Sequence, residues 1–409
     1  MEYQLIFRIL EALMLIPFLF EVNQKILAYL HSKFHFLPKV KMNWLFFYHI
    51  GFGIIYYVYT LSHRSDSKAY FSRADNFEGS WFQLFGTETT FIDFFSYPFI
   101  NYFEFSFELM MLLFTWIGYW GFVLGFLFFK ENINVKVRVF KKVDLLTLVL
   151  FFPNMHFWSA SLGKGALIFF GLMLFAFSLN KPRARILGLL FSSLLVFAIR
   201  PHMFLLLCAG GLYGLYFGKN IIALRYKVLL TSIVMVGILI LKDQILSVVN
   251  LGDSTTLVAD FMQFSDNRSQ NLSEANSGVN MAGYSLLEKV LTFWFRPLFL
   301  DAPGFLGIIV SIENLIYLLL FGKIFRLNFF KFWKNAPSHV KTCLMIFLST
   351  SVAMTFIMSN LGIMIRQKTM IMYFMFFVIY YFLAYDKSEE VKRRLHILNS
   401  SKSRKIVTT

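Results

Sequence analysis

Five short segments of this 409-residue chain carry polar groups inside otherwise apolar surroundings. His63-Arg64-Ser65-Asp66-Ser67 follows an apolar run and leads to Tyr70, Phe71 and Ala74. Pro153-Asn154-Met155-His156-Phe157-Trp158-Ser159 continues to Leu162-Gly163-Lys164. Arg200-Pro201-His202 interrupts what otherwise reads as one long helix. Phe295-Arg296-Pro297-Leu298 is followed by Asp301, and Ser359-Asn360-Leu361-Gly362 leads to Arg366, Gln367 and Lys368. A guanidinium offers forked donors to phosphate oxygens and stays charged at low dielectric. Arg200 and Arg296 each precede a proline, which disfavours regular helix there and aims the side chain at a loop or helix break. Lys164, Arg200, Arg296, Arg366 and Lys368 are therefore the candidate ligands for a phosphate or pyrophosphate headgroup. Any one of them alone also suits snorkelling, in which a cation near a span end reaches water at little cost. Convergence of several is what favours a site.

The candidate proton carriers are fewer. Asp66 sits just beyond a span end, where it could orient or deprotonate an acceptor hydroxyl; it equally suits an ordinary loop acid paired with Arg64. Glu108 and Glu313 lie inside apolar runs, each a structural partner for an arginine or a second catalytic acid. His156 and His202 are alternative bases, since imidazole exchanges protons near neutral pH. The residues leave that choice open. No Walker A loop, dinucleotide fingerprint or zinc spacing occurs, so neither a metal nor a cofactor is expected. Asn267-Arg268-Ser269 and Asn271-Leu272-Ser273 satisfy the glycosylation sequon, a triplet common by chance in polar loops.

These segments need elements to position them, and composition says which kind. The chain is 57% hydrophobic and 15% charged, with 53 Phe residues, against roughly 45–50% and 25% in soluble domains. That much apolar surface needs an apolar solvent, so the expected class is an all-α polytopic integral membrane protein forming a single membrane domain over 1–409. Apolar runs fall at 4–20, 43–61, 107–129, 144–160, 165–179, 186–199, 203–218, 227–241, 303–322, 340–358 and 369–385, predicting about 10–11 transmembrane helices. Several are shorter than the ~20 residues of a full span, implying tilted, broken or re-entrant helices. Arg8 and Glu11 interrupt the first run, which reads as an uncleaved helix, crossing or interfacial, rather than a signal peptide. Cys208 and Cys343 lie in apolar runs and read as buried thiols.

The net charge of +16 records orientation rather than nucleic-acid binding, because basic loops stay cytoplasmic. Basic clusters occur at Lys39 and Lys41, across 130–142, across 181–185, across 219–227, across 323–341 and through the tail 386–409. Successive clusters are separated by two spans, so all can share the cytoplasmic side. The segments 62–106, 157–164, 199–203, 242–302 and 359–368 must then face outward, which puts the five polar segments on one side. The first outer loop, 62–106, and the second, 242–302, contain apolar stretches at 91–103 and 286–300 that read as interfacial helices.

As a set, these motifs are familiar. Asp66-Ser67-x-x-Tyr70-x-x-x-Ala74 is similar to the first outer loop of bacterial membrane glycosyltransferases and polysaccharide polymerases. The segment from Phe151 through Pro153, Phe157-Trp158-Ser159 and Gly163-Lys164 resembles the Pro-x-x-x-Phe-Trp-Ser…Gly-Lys-Asp signature of O-antigen-polymerase-like proteins. Arg200-Pro201-His202, Phe295-Arg296-Pro297 and Asn360-Leu361-Gly362…Arg366-Gln367-Lys368 resemble its later motifs. The likeness runs from about residue 60 to 370, through short motifs, and departs from the signature at Gly165, where an acid usually follows the lysine. It implies a GT-C-like fold in the bacterial cytoplasmic (inner) membrane with its active site facing the periplasm. Such enzymes polymerise oligosaccharide repeat units carried on undecaprenyl diphosphate, with no metal or nucleotide at this step, and act beside other glycan-assembly membrane proteins. Arg200, Arg296 and Arg366 would bind the departing diphosphate, with Lys164 and His202 assisting, and Asp66 or His156 would serve the acceptor. Membrane lipids and polyprenyl-diphosphate-linked oligosaccharides are the expected partners, with no nucleic acid. The rivals are a transferase using a polyprenyl-monophosphate sugar donor, a glycan ligase, and a flippase or exporter of the same lipids. A flippase should carry charge through the membrane depth and often an internal repeat, and neither is visible here.

Overall fold

A computed structural model describes residues 2–219, 222–243, 257–274, 277–281, 283–302 and 304–407. Residues 244–256, 275–276 and 282 of the expected second outer loop, and 408–409 of the tail, lie outside them. The described chain is almost entirely helical: α1 (Glu2–Lys33), α2 (Lys39–Ser62), α3 (Asp66–Asp75), α4 (Thr89–Tyr97), α5 (Phe107–Asn132), α6 (Leu145–Leu150), α7 (Pro153–Ser159), α8 (Lys164–Asn180), α9 (Ile186–Ile199), α10 (Pro201–Phe217) and α11 (Leu224–Ile240). These are followed by α12 (Leu257–Ser273), α13 (Leu286–Phe295), α14 (Gly304–Gly322), α15 (Leu327–Asn335), α16 (Ser338–Ile357) and α17 (Leu361–Val407). A two-stranded antiparallel ribbon pairs Arg138–Val139 with Val143–Asp144 just before α6.

Local chemistry sets many of these boundaries. Ser65 caps α3 by accepting the Ser67 N–H at 3.2 Å, and Ser106 caps α5 by accepting the Leu109 N–H at 3.3 Å. Asp144 caps α6 through the Thr147 N–H at 3.1 Å. Ser285 and Glu288 form a reciprocal capping box at α13. Pro153 and Pro201 open α7 and α10, where a missing N–H costs nothing.

Among the described residues four helices are long and apolar enough to cross a membrane: α2, α5, α16 and the part of α17 over Leu361–Leu395. A fifth arises if Leu306–Gly322 and Leu327–Asn335, bent by 80°, are taken as one broken span. This is the architecture of an α-helical membrane protein, with fewer full-length spans than the ten or eleven apolar runs suggest. Leu145–Ser159, Lys164–Asn180, Ile186–Ile199 and Pro201–Phe217 are apolar but shorter than the ~20 residues an upright crossing takes. The run at 144–160 is divided at Phe151 and Phe152, ahead of Pro153, into α6 and α7. The run 4–20 is the first half of the 32-residue α1, which carries Pro17 inside it.

The buried centre is formed by α5 and the apolar half of α17. Phe122, Phe128 and Phe129 of α5 are nearly inaccessible, as are Tyr373, Phe377 and Tyr380 of α17. Helix α5 packs on α2 and α8, and α10 packs along α16. The second pair approaches closely because α10 presents small residues. A Cβ at Gly214 would lie 2.0 Å from Thr342 Oγ1, a spacing that only glycine tolerates. Leu187 and Leu194 of α9 and Ile240 of α11 are exposed on the outside, as lipid-facing side chains are.

The long loop between α2 and α5 folds as α3, α4 and a π-helical turn at Pro98–Tyr102. The apolar stretch at 91–103 is thus helical, and so is most of 286–300, as α13. Arg73 Nε and Nη2 hold Asp93 at 2.8 and 3.1 Å, clamping α3 to α4. The basic tail from 386 continues α17 without a break as far as Val407.

Candidate functional site

Five helix ends meet at one place: the start of α3 beyond α2, the start of α8, the junction of α9 and α10, and the start of α17. Each delivers a polar side chain for a local reason. Asp66 is the first residue of α3, just after its Ser65 cap. Arg200 has non-helical backbone (φ −151°, ψ 85°) between α9 and Pro201, as a following proline disfavours the α-helical conformation in the residue before it. Arg366 lies in the second turn of α17, whose N-terminus Asn360 caps by accepting the Ile363 N–H at 3.2 Å.

Lys164 opens α8 after Gly163, whose φ of +146° disfavours any other residue. A side chain at Gly163 would also press on the Tyr70 ring at 3.1 Å. At Gly165 a Cβ would meet the Trp158 carbonyl oxygen at 2.1 Å. No side chain, an acid included, has room at this position.

The geometry is that of a largely covered cationic cluster. Arg366 Nη1 lies 2.7 Å from Asp66 Oδ2, and its guanidinium sits 5.6 Å from the centre of the Trp158 ring. Arg200 is only 7% exposed. One of its Nη atoms donates to Gln367 Oε1 at 2.8 Å, while its Nε–H is buried without a partner. Lys164 Nζ lies 3.6 Å from Glu88 Oε2. Lys164, Arg200 and Arg366 are within electrostatic range of one another, and His202 is within range of Arg200 and Lys164. Tyr70 lies within range of Asp66, Arg366 and Arg200. Like charges this close need an anion, and Asp66 and Glu88, both from the α2–α5 loop, supply two carboxylates.

Lys368 and Arg296 belong elsewhere. Lys368 is wholly buried, and its ammonium donates to Asn314 Oδ1 at 2.7 Å, the Arg296 carbonyl at 2.8 Å and the Trp294 carbonyl at 3.3 Å. That accounts for all three of its N–H groups. Arg296 is tied to Asp301, and Asn314 Nδ2 donates to the Pro297 carbonyl at 2.8 Å. Neighbouring Glu313 accepts the Asn154 N–H at 2.9 Å and the Tyr317 hydroxyl. The expectation that Arg296 and Lys368 join the other cations is corrected by this arrangement. Residues two apart on a helix point ~200° around its axis, so Arg366 and Lys368 face opposite ways.

His156, expected as an alternative base, is also set apart. It is fully buried, with Nδ1 at 2.8 Å from His49 Nδ1, Nε2 at 2.7 Å from the Leu150 carbonyl, and its ring stacked on Phe122 at 3.9 Å. Both nitrogens serve packing inside the bundle, while Trp158, two residues on, turns toward Arg366. Glu108 accepts the Tyr57 hydroxyl at 2.9 Å. Sequence reasoning overlooked Gln367 as the partner of Arg200 and missed Glu88 altogether. Gln367 stood within a quoted motif; Glu88 carries no local signal, because only the loop path brings it to Lys164.

No family model, curated protein or solved structure matches this chain.

Proposed function

We propose that this protein is a membrane glycosyltransferase of the O-antigen-polymerase-like, GT-C-like type. It joins oligosaccharide repeat units carried on undecaprenyl diphosphate at the outer face of the bacterial cytoplasmic membrane. One observation supports the reading above the others: Lys164, Arg200 and Arg366, from three distant parts of the chain, gather beside the carboxylates of Asp66 and Glu88, with a buried guanidinium N–H left unpartnered.

In this reading the bond between the sugar's anomeric carbon and the diphosphate oxygen breaks as a bond to an acceptor hydroxyl oxygen forms. The diphosphate leaves with one more negative charge than it carried as an ester. Fixed guanidinium and ammonium groups stabilise that developing charge without reorganising, and do so best where water is scarce. Arg200 and Arg366 bind the leaving group, with Lys164 assisting. Asp66, beside Arg366 and half in solvent, takes the acceptor proton, with His202 as the nearby alternative. In the same reading the polyprenyl tail enters from the bilayer past the short helices around the cluster.

The test is reconstitution. Purified protein given lipid-linked repeat units should produce a ladder of lengthened glycans. Arg200→Ala and Arg366→Ala should abolish the ladder while thermal unfolding in detergent stays close to wild type. Full-length polymer from both variants, or a single discrete product from the wild type, overturns the polymerase reading.

A further inference from the structure

We infer that Glu88 is a resident counter-ion of the cation cluster, occupying the place of a phosphate group until a lipid diphosphate displaces it. The inference rests on the reading of the cluster as a diphosphate site.

The cations and their carboxylates are held differently. Lys164, Arg200 and Arg366 are fixed by helix ends, and their side chains are largely covered. Glu88 comes from the loop between α2 and α5, and its side chain is 35% exposed against 14% for Lys164. At 3.6 Å the Glu88–Lys164 contact is an ion pair without a hydrogen bond. The Asp66–Arg366 contact, at 2.7 Å, is a full charge-assisted hydrogen bond. Glu88 is therefore the more weakly held of the two carboxylates.

Its backbone explains how it comes to be there. Glu88 has φ +61° and ψ −112°, a region that non-glycine residues occupy at a cost. Its N–H donates at 2.6 Å to the carbonyl of Ala198, two residues before Arg200. A strained residue is thus pinned to the turn that carries the buried arginine, and its carboxylate lies within electrostatic range of Arg200 as well as Lys164.

Even so, Glu88 satisfies the site incompletely, since Arg200 Nε keeps no acceptor. A buried donor without a partner is a costly state. A diphosphate has enough oxygens to reach Lys164 and Arg200 together, which one carboxylate at 3.6 Å does not. Charge agrees. With Asp66 and Glu88 in place, the three cations leave a single net positive charge. Without Glu88 the cluster carries two, matching the two negative charges of a diphosphate diester.

The experiment uses full-length protein in detergent and farnesyl diphosphate as probe. Carbodiimide should join Glu88 to Lys164 as a zero-length cross-link, read by peptide mass spectrometry. Saturating farnesyl diphosphate should suppress that cross-link several-fold, and farnesol should not. Glu88→Gln and Glu88→Gly, the latter also removing the backbone strain, should bind the probe about ten-fold more tightly, because a competing like charge is gone; Glu88→Asp should stay near wild type. An undiminished cross-link in protein that demonstrably binds the probe, or unchanged or weaker affinity in both Gln and Gly variants, overturns the role of Glu88 alone. Failure of the wild type to bind the probe, or binding unaffected by Arg200→Ala, overturns the reading of the cluster itself and this inference with it.

Discussion

Two lysine-centred clusters of this protein, around Lys164 and around Lys368, differ in what their donors are attached to. Around Lys368, every ammonium proton goes to an oxygen of the fold, two of them main-chain carbonyls, and the group has no exposure. Around Lys164 and Arg200, one contact is a loose ion pair, one guanidinium N–H is orphaned, and the opposing carboxylates come from an accessible loop. A buried cation that satisfies all its donors internally is part of the scaffold, whereas one that does not is available to a ligand. Residue type alone does not separate the two; the disposition of N–H groups does.

The sharpest way to break that contrast is to remove each cation in turn. Lys368→Met should destabilise the protein by about 3 kcal/mol or more, because three buried oxygens lose their donor at once. Arg200→Ala gives up one hydrogen bond, to Gln367, and should cost about 1 kcal/mol. Binding should move the opposite way: a prenyl diphosphate is lost to Arg200→Ala and retained by whatever fraction of Lys368→Met folds. Thermal unfolding in detergent together with ligand titration reads both. Equal stability losses in the two variants would erase the distinction.

A smaller effect is expected at the turn that aims Lys164. Gly165→Ala places a methyl 2.1 Å from the Trp158 carbonyl, so α7 and α8 must separate. The overpacking should cost about 1–3 kcal/mol and should weaken anion binding through the displaced Lys164. An Ala variant with wild-type stability and affinity would show that the turn has slack, and that Lys164 is not held as tightly as its burial suggests.

How much of this was legible in the sequence follows from how local each cause is. Apolar run lengths announced a helical membrane protein. Pro201 announced the break where Arg200 emerges, and the short segment 157–164 between two apolar runs announced the turn that carries Lys164. Helical phase was less legible. Arg366 and Lys368 lie in one motif, as do His156 and Trp158, yet within each pair the two side chains part to opposite sides of their helix. One lands in the cation cluster and the other in the interior. Nor does run length report where a run divides: 144–160 is long enough to read as one run but breaks ahead of Pro153, so counting runs overstates the number of full spans. Glu88 depends on the path of a loop back to α9, a long-range fact that no spacing encodes.

The last test concerns the loop that carries both carboxylates, and it sharpens the comparison by asking whether that loop is itself well anchored. Arg73 and Asp93 join α3 to α4 through two hydrogen bonds, with the Asp93 side chain buried and Arg73 nearly half exposed. Burial raises the Asp93 pKa above the ordinary carboxylate value, and Arg73 beside it counteracts part of that rise. Arg73→Ala removes the counteraction, leaving a buried carboxylate whose folded-state pKa stands further above its unfolded value. A group shifted upward in the fold favours folding when protonated and opposes it as pH climbs through the folded pKa. The variant should therefore lose about 1–2 kcal/mol near neutral pH and recover toward wild type as the pH falls through the carboxylate range. Unfolding followed by tryptophan fluorescence across pH checks this, since Trp81 donates to the Phe94 carbonyl at 2.8 Å and reports on α4 directly. A deficit that does not vary with pH would mean that Arg73 contributes packing rather than charge. The loop would then hold Asp66 and Glu88 in place by shape, with no electrostatic clamp to keep α3 and α4 together while Glu88 moves.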